Sequence, residues 1–455
     1  MTRRLGFGAT MVATAILTLP SIVEAQAWLS DRARAEGPGF RLGDFELHPG
    51  IGLEVGYDSN LYVADGSGMS PLVDTGVLRA TAHLLVSTRG QQRRQEGEGG
   101  GGEGGGGGAQ PSVAFRGGLN GSFYHFFADA GRTNVELDAN LALQILPGRP
   151  FSINVSNTFG RGIRPFTPAT VADVTNFNWG RIRNDAGLQL NFATTGEVVR
   201  VTAGYNFQLD FFEDALFQYG NNFRHNITIT EQFRFLPQTA IVHDTTLVFL
   251  DYFTDAARPP SAVNDGVLVR SRVGLNGAIT NNFSVLGAVG YTAGFFNSRT
   301  AAYDQEFESI AAQLEARWQI TPAMRLAFGY DRDFQPSFVG NFFRRDRGYA
   351  NYQVLVERVF LLGLEASFGY YEFGAIIRPD GTLAGSSLTR GDYRLIGSVF
   401  GEYRFTDWLA VNATIRYTGN FTDYQYLVET TGAATFLEPA QFNKFEIWAG
   451  VRAFY

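Results

Sequence analysis

From residue 45 to the C-terminus, apolar and polar residues alternate in short stretches separated by turn-forming residues. A period of two puts one face of each stretch in an apolar medium and the other in water, as in a strand wetted on one side. The alternation predicts strands at 45–57, 77–89, 112–126, 134–146, 151–161, 180–194, 198–212, 223–235, 239–253, 266–279, 283–296, 306–318, 324–334, 346–357, 362–372, 391–405, 409–420 and 442–455. In 134–146, Val135, Leu137, Ala139, Leu141, Leu143 and Ile145 share one face, and Glu136, Asp138, Asn140 and Gln144 the other. Two stretches are less regular, because Glu231 and Asp244 fall on the nominally apolar face of 223–235 and 239–253.

The connections between these strands alternate in length. Short ones (Leu146–Pro150, Thr195–Glu197, Leu236–Gln238, Thr280–Asn282, Gln319–Ala323, Arg358–Leu361, Thr406–Trp408) separate long ones such as 58–76, 162–179, 254–265, 373–390 and 421–441. Short turns on one rim and long loops on the other mark a transmembrane β-barrel with a periplasmic and an extracellular end. A propeller or solenoid also supplies many strands, but there is no fixed repeat here, and neither fold explains the asymmetry of the loops. The expected fold is therefore all-β: a closed antiparallel transmembrane barrel of about eighteen strands, with a range of 16–20. Closure requires the last strand, 442–455, to pair antiparallel with the first, 45–57, leaving both termini on the short-turn side.

The first residues change the setting. Arg3 and Arg4 precede an apolar run from Leu5 to Leu19, then Pro20 and the small-residue site Ala25-Gln26-Ala27. This is the layout of a cleaved secretory signal peptide over 1–27. The expected organisation is then a periplasmic N-terminal segment at 28–44 and the barrel at 45–455. No later run of apolar residues is long enough for a membrane-spanning helix. There is no cysteine, so no disulfide framework and no lipoprotein anchor. A formal charge of −7 argues against a simple nucleic-acid binder, which would be basic. The insertion at 90–111, with Glu96, Glu98 and Glu103 among runs of glycine, reads as a flexible solvated loop on the short-turn rim.

Aromatic residues gather at the expected strand ends. Tyr57, Phe126, Phe127, Phe159, Phe211, Phe212, Tyr252, Phe253, Phe295, Phe296, Phe334, Tyr370 and Tyr371 lie toward the outer rim, and Trp318, Phe405, Trp408 and Tyr455 toward the inner one. A girdle at headgroup level accounts for such placement. Tyr124, Trp179, Phe400 and Trp448 are candidates to stack on sugars inside the lumen. The inward-facing charges are mixed in sign: Arg79, Arg116, Arg183, Arg200, Arg272, Arg317, Arg394, Arg416 and Arg452 against Glu136, Asp138, Asp210 and Glu315. A ring of one sign would predict ion selectivity, whereas the mixture predicts cross-strand ion pairs in a hydrated lumen. His48, His83, His125, His225 and His243 are scattered singly, with no Ser/His/Asp set or metal-ligand spacing among them. The sequence therefore predicts no enzyme, no cofactor and no metal site.

Two segments resemble known proteins. The stretch Tyr57-Asp58-Ser59-Asn60-Leu61-Tyr62 resembles the first-strand exit of the outer-membrane family called type-two β-barrel porins. The final strand, ending on Tyr455, resembles the C-terminal assembly signal of bacterial outer-membrane barrels. These resemblances imply an outer-membrane protein of a Gram-negative bacterium, delivered by the barrel-assembly machinery and surrounded by outer-membrane lipid. The family is often associated with exopolysaccharide production and carries no established catalytic residues. Its implied role is a channel for polysaccharide export, working with a periplasmic export protein. A diffusion porin for small solutes, and a closed barrel that binds partners through its outer loops, are the alternatives. The third outer loop, Gly162–Trp179, is the candidate plug of the lumen.

Overall fold

The computed structural model describes residues 39–67, 72–88, 112–128, 133–162, 180–213, 215–253, 264–297, 306–337, 340–376, 383–429 and 435–455. They form eighteen long strands. In order these are β1 (Phe45–Asp58), β2 (Thr75–Thr88), β3 (Val113–Phe126), β4 (Thr133–Ile145), β5 (Phe151–Gly162) and β6 (Arg181–Ala193). Then come β7 (Val199–Phe212), β8 (Asn222–Leu236), β9 (Thr239–Tyr252), β10 (Gly266–Thr280), β11 (Phe283–Phe296) and β12 (Phe307–Thr321). The last are β13 (Met324–Pro336), β14 (Phe342–Val356), β15 (Phe360–Phe373), β16 (Arg390–Arg404), β17 (Leu409–Phe421) and β18 (Phe442–Phe454). Each is antiparallel to the next, and β18 returns to β1, so the sheet closes with no free edge. No helix among the described residues is long and apolar enough to cross a membrane, and the crossing is made by strands.

The closing seam joins the expected strands, antiparallel. Gly50 to Asp58 of β1 face Phe454 to Glu446 of β18, and the Tyr455 N–H donates to the Pro49 carbonyl at 2.9 Å. Below it, Phe40–Leu42 folds back on Phe45–Leu47, and Phe40 lays its ring 4.3 Å from that of Tyr455. The last residue is thus tied to the N-terminal segment at the inner rim.

Two faces with opposite chemistry follow from the alternation. Ile51, Leu53, Val55, Leu119, Leu141, Leu190, Val273, Val289, Ile310, Leu314, Phe368 and Val451 are exposed on the outside. A continuous apolar belt of that size is covered by lipid in a transmembrane barrel. On the inside, Glu54, Arg79, Glu136, Asp392, Arg394, Glu402 and Arg452 are buried. The chain is an outer-membrane-type β-barrel.

Three expectations change in the structure. Asp244 faces the interior, where Arg272 donates to it at 3.1 Å, and its neighbour His243 faces out beside Glu231. The alternation in β9 misled because its inward face is itself apolar toward the outer end, where Leu250 and Tyr252 are buried. For the same reason Phe212, Tyr252, Phe296 and Phe334 are not girdle residues but members of one buried cluster in the outer mouth. Finally, the loop 421–441 contains a hairpin, Gln425–Glu429 paired with Thr435–Pro439.

Candidate functional site: a polar lumen beneath an outer cap

An eighteen-strand barrel encloses an aqueous path unless something fills it. Part of this one is filled by an ionic network that straddles the closing seam. Arg79 of β2 binds Glu54 of β1 at 2.5 Å, and Asn412 of β17 donates to the other Glu54 oxygen at 2.7 Å. The Arg79 guanidinium lies 4.6 Å over the Trp448 ring of β18. Tyr124 of β3 meets Arg79 at 3.4 Å and donates to Glu136 of β4 at 2.7 Å. On the far side of the seam, Glu402 of β16 holds Arg404 at 3.0 Å and Arg452 of β18 at 2.7 Å. These charges are almost fully buried; Glu54 and Glu402 are paired with arginine and Glu136 accepts from the Tyr124 hydroxyl, the kind of satisfaction under which buried ions are tolerated. The seam network therefore fills part of the lumen between β16 and β4, while Arg116, Asn140 and Gln144 nearer the inner rim stay exposed.

The opposite wall is different. The interior positions of β5 to β8 carry Asn154, Ser156, Thr158, Gln189, Asn191, Thr202, Asn206, Asn226, Thr228 and Thr230, half-buried or exposed. They form short amide and hydroxyl contacts with one another: Thr202 donates to Asn191 at 2.9 Å, and Asn226 to Asn206 at 3.2 Å. Charges punctuate this wall, some in local pairs and some held by amides: Asp185 accepts from Asn206 and Gln208, and Arg224 donates to Asn222 at 3.1 Å. Asp210 takes a direct bond from Arg181 and has Arg183 at 3.7 Å. Arg200 meets Glu197 of the inner turn at 3.0 Å.

The outer mouth carries a cap. The 425–439 hairpin lies beside 383–387: the Leu427 N–H donates to the Ala384 carbonyl at 2.9 Å and the Ser386 N–H to the Gln425 carbonyl at 2.8 Å. Tyr424, Tyr426, Ile376 and Ala440 pack in one cluster with Phe212, Leu250, Tyr252, Leu268, Phe296 and Phe334 of β7, β9, β10, β11 and β13. The cap arises after β15 and β17, so it spans the mouth to reach the far wall. Arg390 of β16 anchors it. This residue is fully buried, bonds both Asp392 oxygens (2.8 and 2.6 Å) and the Tyr426 hydroxyl, and sits 4.9 Å over the Phe373 ring. Burial pushes the hydroxyls of Tyr219, Tyr424 and Tyr426 above the ordinary tyrosine range, so they stay neutral.

The remaining sequence-derived candidates are spread around the inner surface rather than gathered. Arg272 bridges Asp244 and Gln313 (3.2 Å), and Arg394 bonds Asp392 at 3.1 Å and Asn420 at 2.9 Å. Glu315 is held by Arg317 and by the Tyr349 hydroxyl. Asn120 donates to Asp138 at 3.5 Å. Arg416 stands opposite Glu446 in the β17–β18 register, and Arg116 opposite Ser87 of β2. Of the stacking aromatics, Phe400 is half-buried on the interior face of β16. Tyr124 and Trp448 are 1% and 6% exposed inside the seam network, and a ring buried in that way offers no face to a solute. Trp179 and the rest of the candidate plug beyond Gly162 lie outside the described residues, as does the glycine-rich insertion. Sequence reasoning did not find the cap, because the residues that seat it look like rim aromatics. Among the described residues no group of three or more acidic or histidine side chains is placed to hold a metal ion.

No family model matches the chain, and no curated protein matches it. The family resemblance at Tyr57–Tyr62 accordingly rests on those six residues. Solved structures show the same broad architecture. The FrpB iron transporter from Neisseria meningitidis (F3-3 variant) is 9% identical, with a TM-score of 0.44 over 90% of this chain and 81% of that one. Pseudomonas aeruginosa OccK2 (OpdF), solved in complex with glucuronate, is 11% identical with a TM-score of 0.44 over 91% and 99%. P. aeruginosa OccK5 (OpdH) is 9% identical with a TM-score of 0.43 over 90% and 98%.

Proposed function

We propose that this barrel is an outer-membrane conduit for saccharides, through which polysaccharide leaves the cell. The observation that carries this reading is the wall of β5 to β8, rich in amides and hydroxyls between its charges. Amides and hydroxyls such as Asn206, Asn226 and Thr228 both donate and accept, as the hydroxyls of a sugar do. Asn206 and Gln208 also donate to Asp185, but exchange of the Asn–Asn and Thr–Asn contacts for sugar contacts is nearly neutral in energy, which suits passage rather than tight capture. The outward direction is supported by the resemblance at Tyr57–Tyr62. A periplasmic export protein would deliver the chain to the inner rim.

In a planar bilayer, a barrel whose cap has been released should conduct, and a neutral oligosaccharide added to either side should interrupt the current. Replacing Asn206 and Asn226 together by Leu should weaken that block by about tenfold, the effect of roughly 1.4 kcal/mol in lost hydrogen bonds. Equal block in the double variant would remove the wall from the path. A diffusion porin has the same wall, and deletion in the cell separates the two roles. Loss of surface polysaccharide favours export. Unchanged polysaccharide with slower sugar uptake favours the porin.

A further inference from the structure

A second constellation lies on the outside of the barrel, facing lipid. Glu231 of β8 and His243 of β9 are cross-strand neighbours, with Oε2 3.1 Å from Nδ1. His243 Nε2 is 3.0 Å from the Oγ of Ser271 on β10. Thr245 Oγ1 is 3.2 Å from the same Ser271 oxygen, directly opposite it in the register. A carboxylate, an imidazole and a serine hydroxyl are thus joined in series through the two ring nitrogens. With Glu231 accepting from Nδ1–H, Nε2 is the nitrogen left to accept, with the Ser271 hydroxyl at 3.0 Å and the Thr245 hydroxyl at 3.3 Å. This is the order nucleophile, base, orienting carboxylate that activates serine for acyl transfer.

The location is what makes the cluster informative. Glu231 is five residues from the inner end of β8, about 13 Å above the turn for a strand tilted by ~40°. The surrounding outward positions are Ile229, Phe233, Ile241 and Val273. A charged side chain at such a depth destabilises a barrel, and ionisable groups kept within a membrane mark function. Glu231 and His243 remain accessible from the lipid side, at 55% and 38% side-chain exposure. These two polar side chains interrupt the apolar belt beside Ser271, where an ester group and water would have to enter.

We infer that Ser271, His243 and Glu231 form an esterase site on the lipid-facing wall, acting on fatty-acyl esters of membrane lipids. Ser271 Oγ attacks the ester carbonyl carbon as His243 Nε2 takes the hydroxyl proton. The carbonyl–alkoxy bond then breaks, the alcohol leaves with that proton, and the acyl group stays on Ser271. Water, deprotonated by the same nitrogen, releases the fatty acid and restores the serine. The sum is ester plus water to acid plus alcohol. Thr245 is the neighbouring hydroxyl donor for the negative charge that develops on the carbonyl oxygen. The inference is independent of the saccharide reading, because these side chains do not face the lumen.

A fluorophosphonate probe applied to the folded, detergent-solubilised full-length barrel should label Ser271. The same preparation should hydrolyse a long-chain p-nitrophenyl ester in mixed micelles. Both signals should vanish in Ser271→Ala and fall at least about a hundredfold in His243→Ala, with Glu231→Gln in between. Heat-modifiable gel mobility reports that each variant is folded, and channel current should match the unmodified barrel. A folded barrel that takes no probe at Ser271, and hydrolyses ester no faster than Ser271→Ala, overturns the inference.

Discussion

Gly450→Val should prevent the barrel from closing. A Cβ at Gly450 would stand 2.3 Å from Glu54 Cγ, 2.5 Å from the Leu53 carbonyl oxygen and 2.9 Å from Glu54 Cα. Two of those three atoms are backbone of β1, so no rotamer change relieves the clash and the β1–β18 pair must separate. Separation would also pull Glu54 from Arg79 and Asn412, exposing the seam network at its centre. Overpacking of this kind costs about 1–3 kcal/mol, and the coupled loss of a buried ion pair about 3–5 kcal/mol. The expected result in lipid vesicles is little or no heat-resistant folded band, or a urea midpoint far below that of the unmodified protein. Gly397→Ala is the matched control. Its added Cβ meets nothing within 4 Å, and its stability should change by no more than about 0.5 kcal/mol. Equal stability of the two variants would show that the seam yields where the structure has it tight.

The second large effect belongs to the cap. Arg390→Ala removes the cation that holds Tyr426 and also half of the charge facing buried Asp392. Arg394 remains at 3.1 Å, so the carboxylate keeps one partner and the barrel wall stays intact. The cap loses its anchor, since the buried Tyr426 hydroxyl loses the guanidinium that donates to it. Truncating one member of a buried, hydrogen-bonded charge pair costs about 3–5 kcal/mol, enough to shift a closed mouth to one that is mostly open. Single-channel recordings should change from rare, small openings to long ones. Arg317→Ala, on the wall but far from the cap cluster, should leave the opening frequency unchanged. A closed trace in Arg390→Ala would mean that the aromatic cluster alone seals the mouth.

How much of this was legible in the sequence differs by element. The eighteen strands and their pairing order could be read because each carries its own alternation, and because closure demands a partner for the last. The inward position of Arg79, Glu136 and Arg452 followed from the same period. Their partners did not, since a register one pair away would have offered other charges. In β9 the alternation was ambiguous: Asp244 faces inward against Arg270 and Arg272, while His243 faces lipid. The Glu231–His243–Ser271 set was invisible for a related reason. Its members are 12 and 28 residues apart and meet only when three neighbouring strands are in register. The cap was hidden because Tyr424 and Tyr426 sit in a long loop, where composition carries no sign of what they pack against. The resemblance at Tyr57–Tyr62 fits the local structure: Asn60 is fully buried, and its side chain bonds the Ala64 and Asn443 carbonyls at 2.7 and 2.9 Å. That asparagine pins the exit of β1 onto β18, a structural reason for the motif.

The central claim is that a hydrophilic path for saccharide runs behind the cap. It is tested most directly by joining Phe421 to Phe442 with a short turn in place of 422–441, which is feasible because Asn420 and Phe442 are already paired neighbours. Single-channel current through that barrel is then recorded with and without a neutral oligosaccharide. A large steady current, interrupted in discrete events by the sugar, is the predicted result. A barrel that stays non-conducting without the hairpin of its cap, or conducts with no response to the sugar, would contradict it.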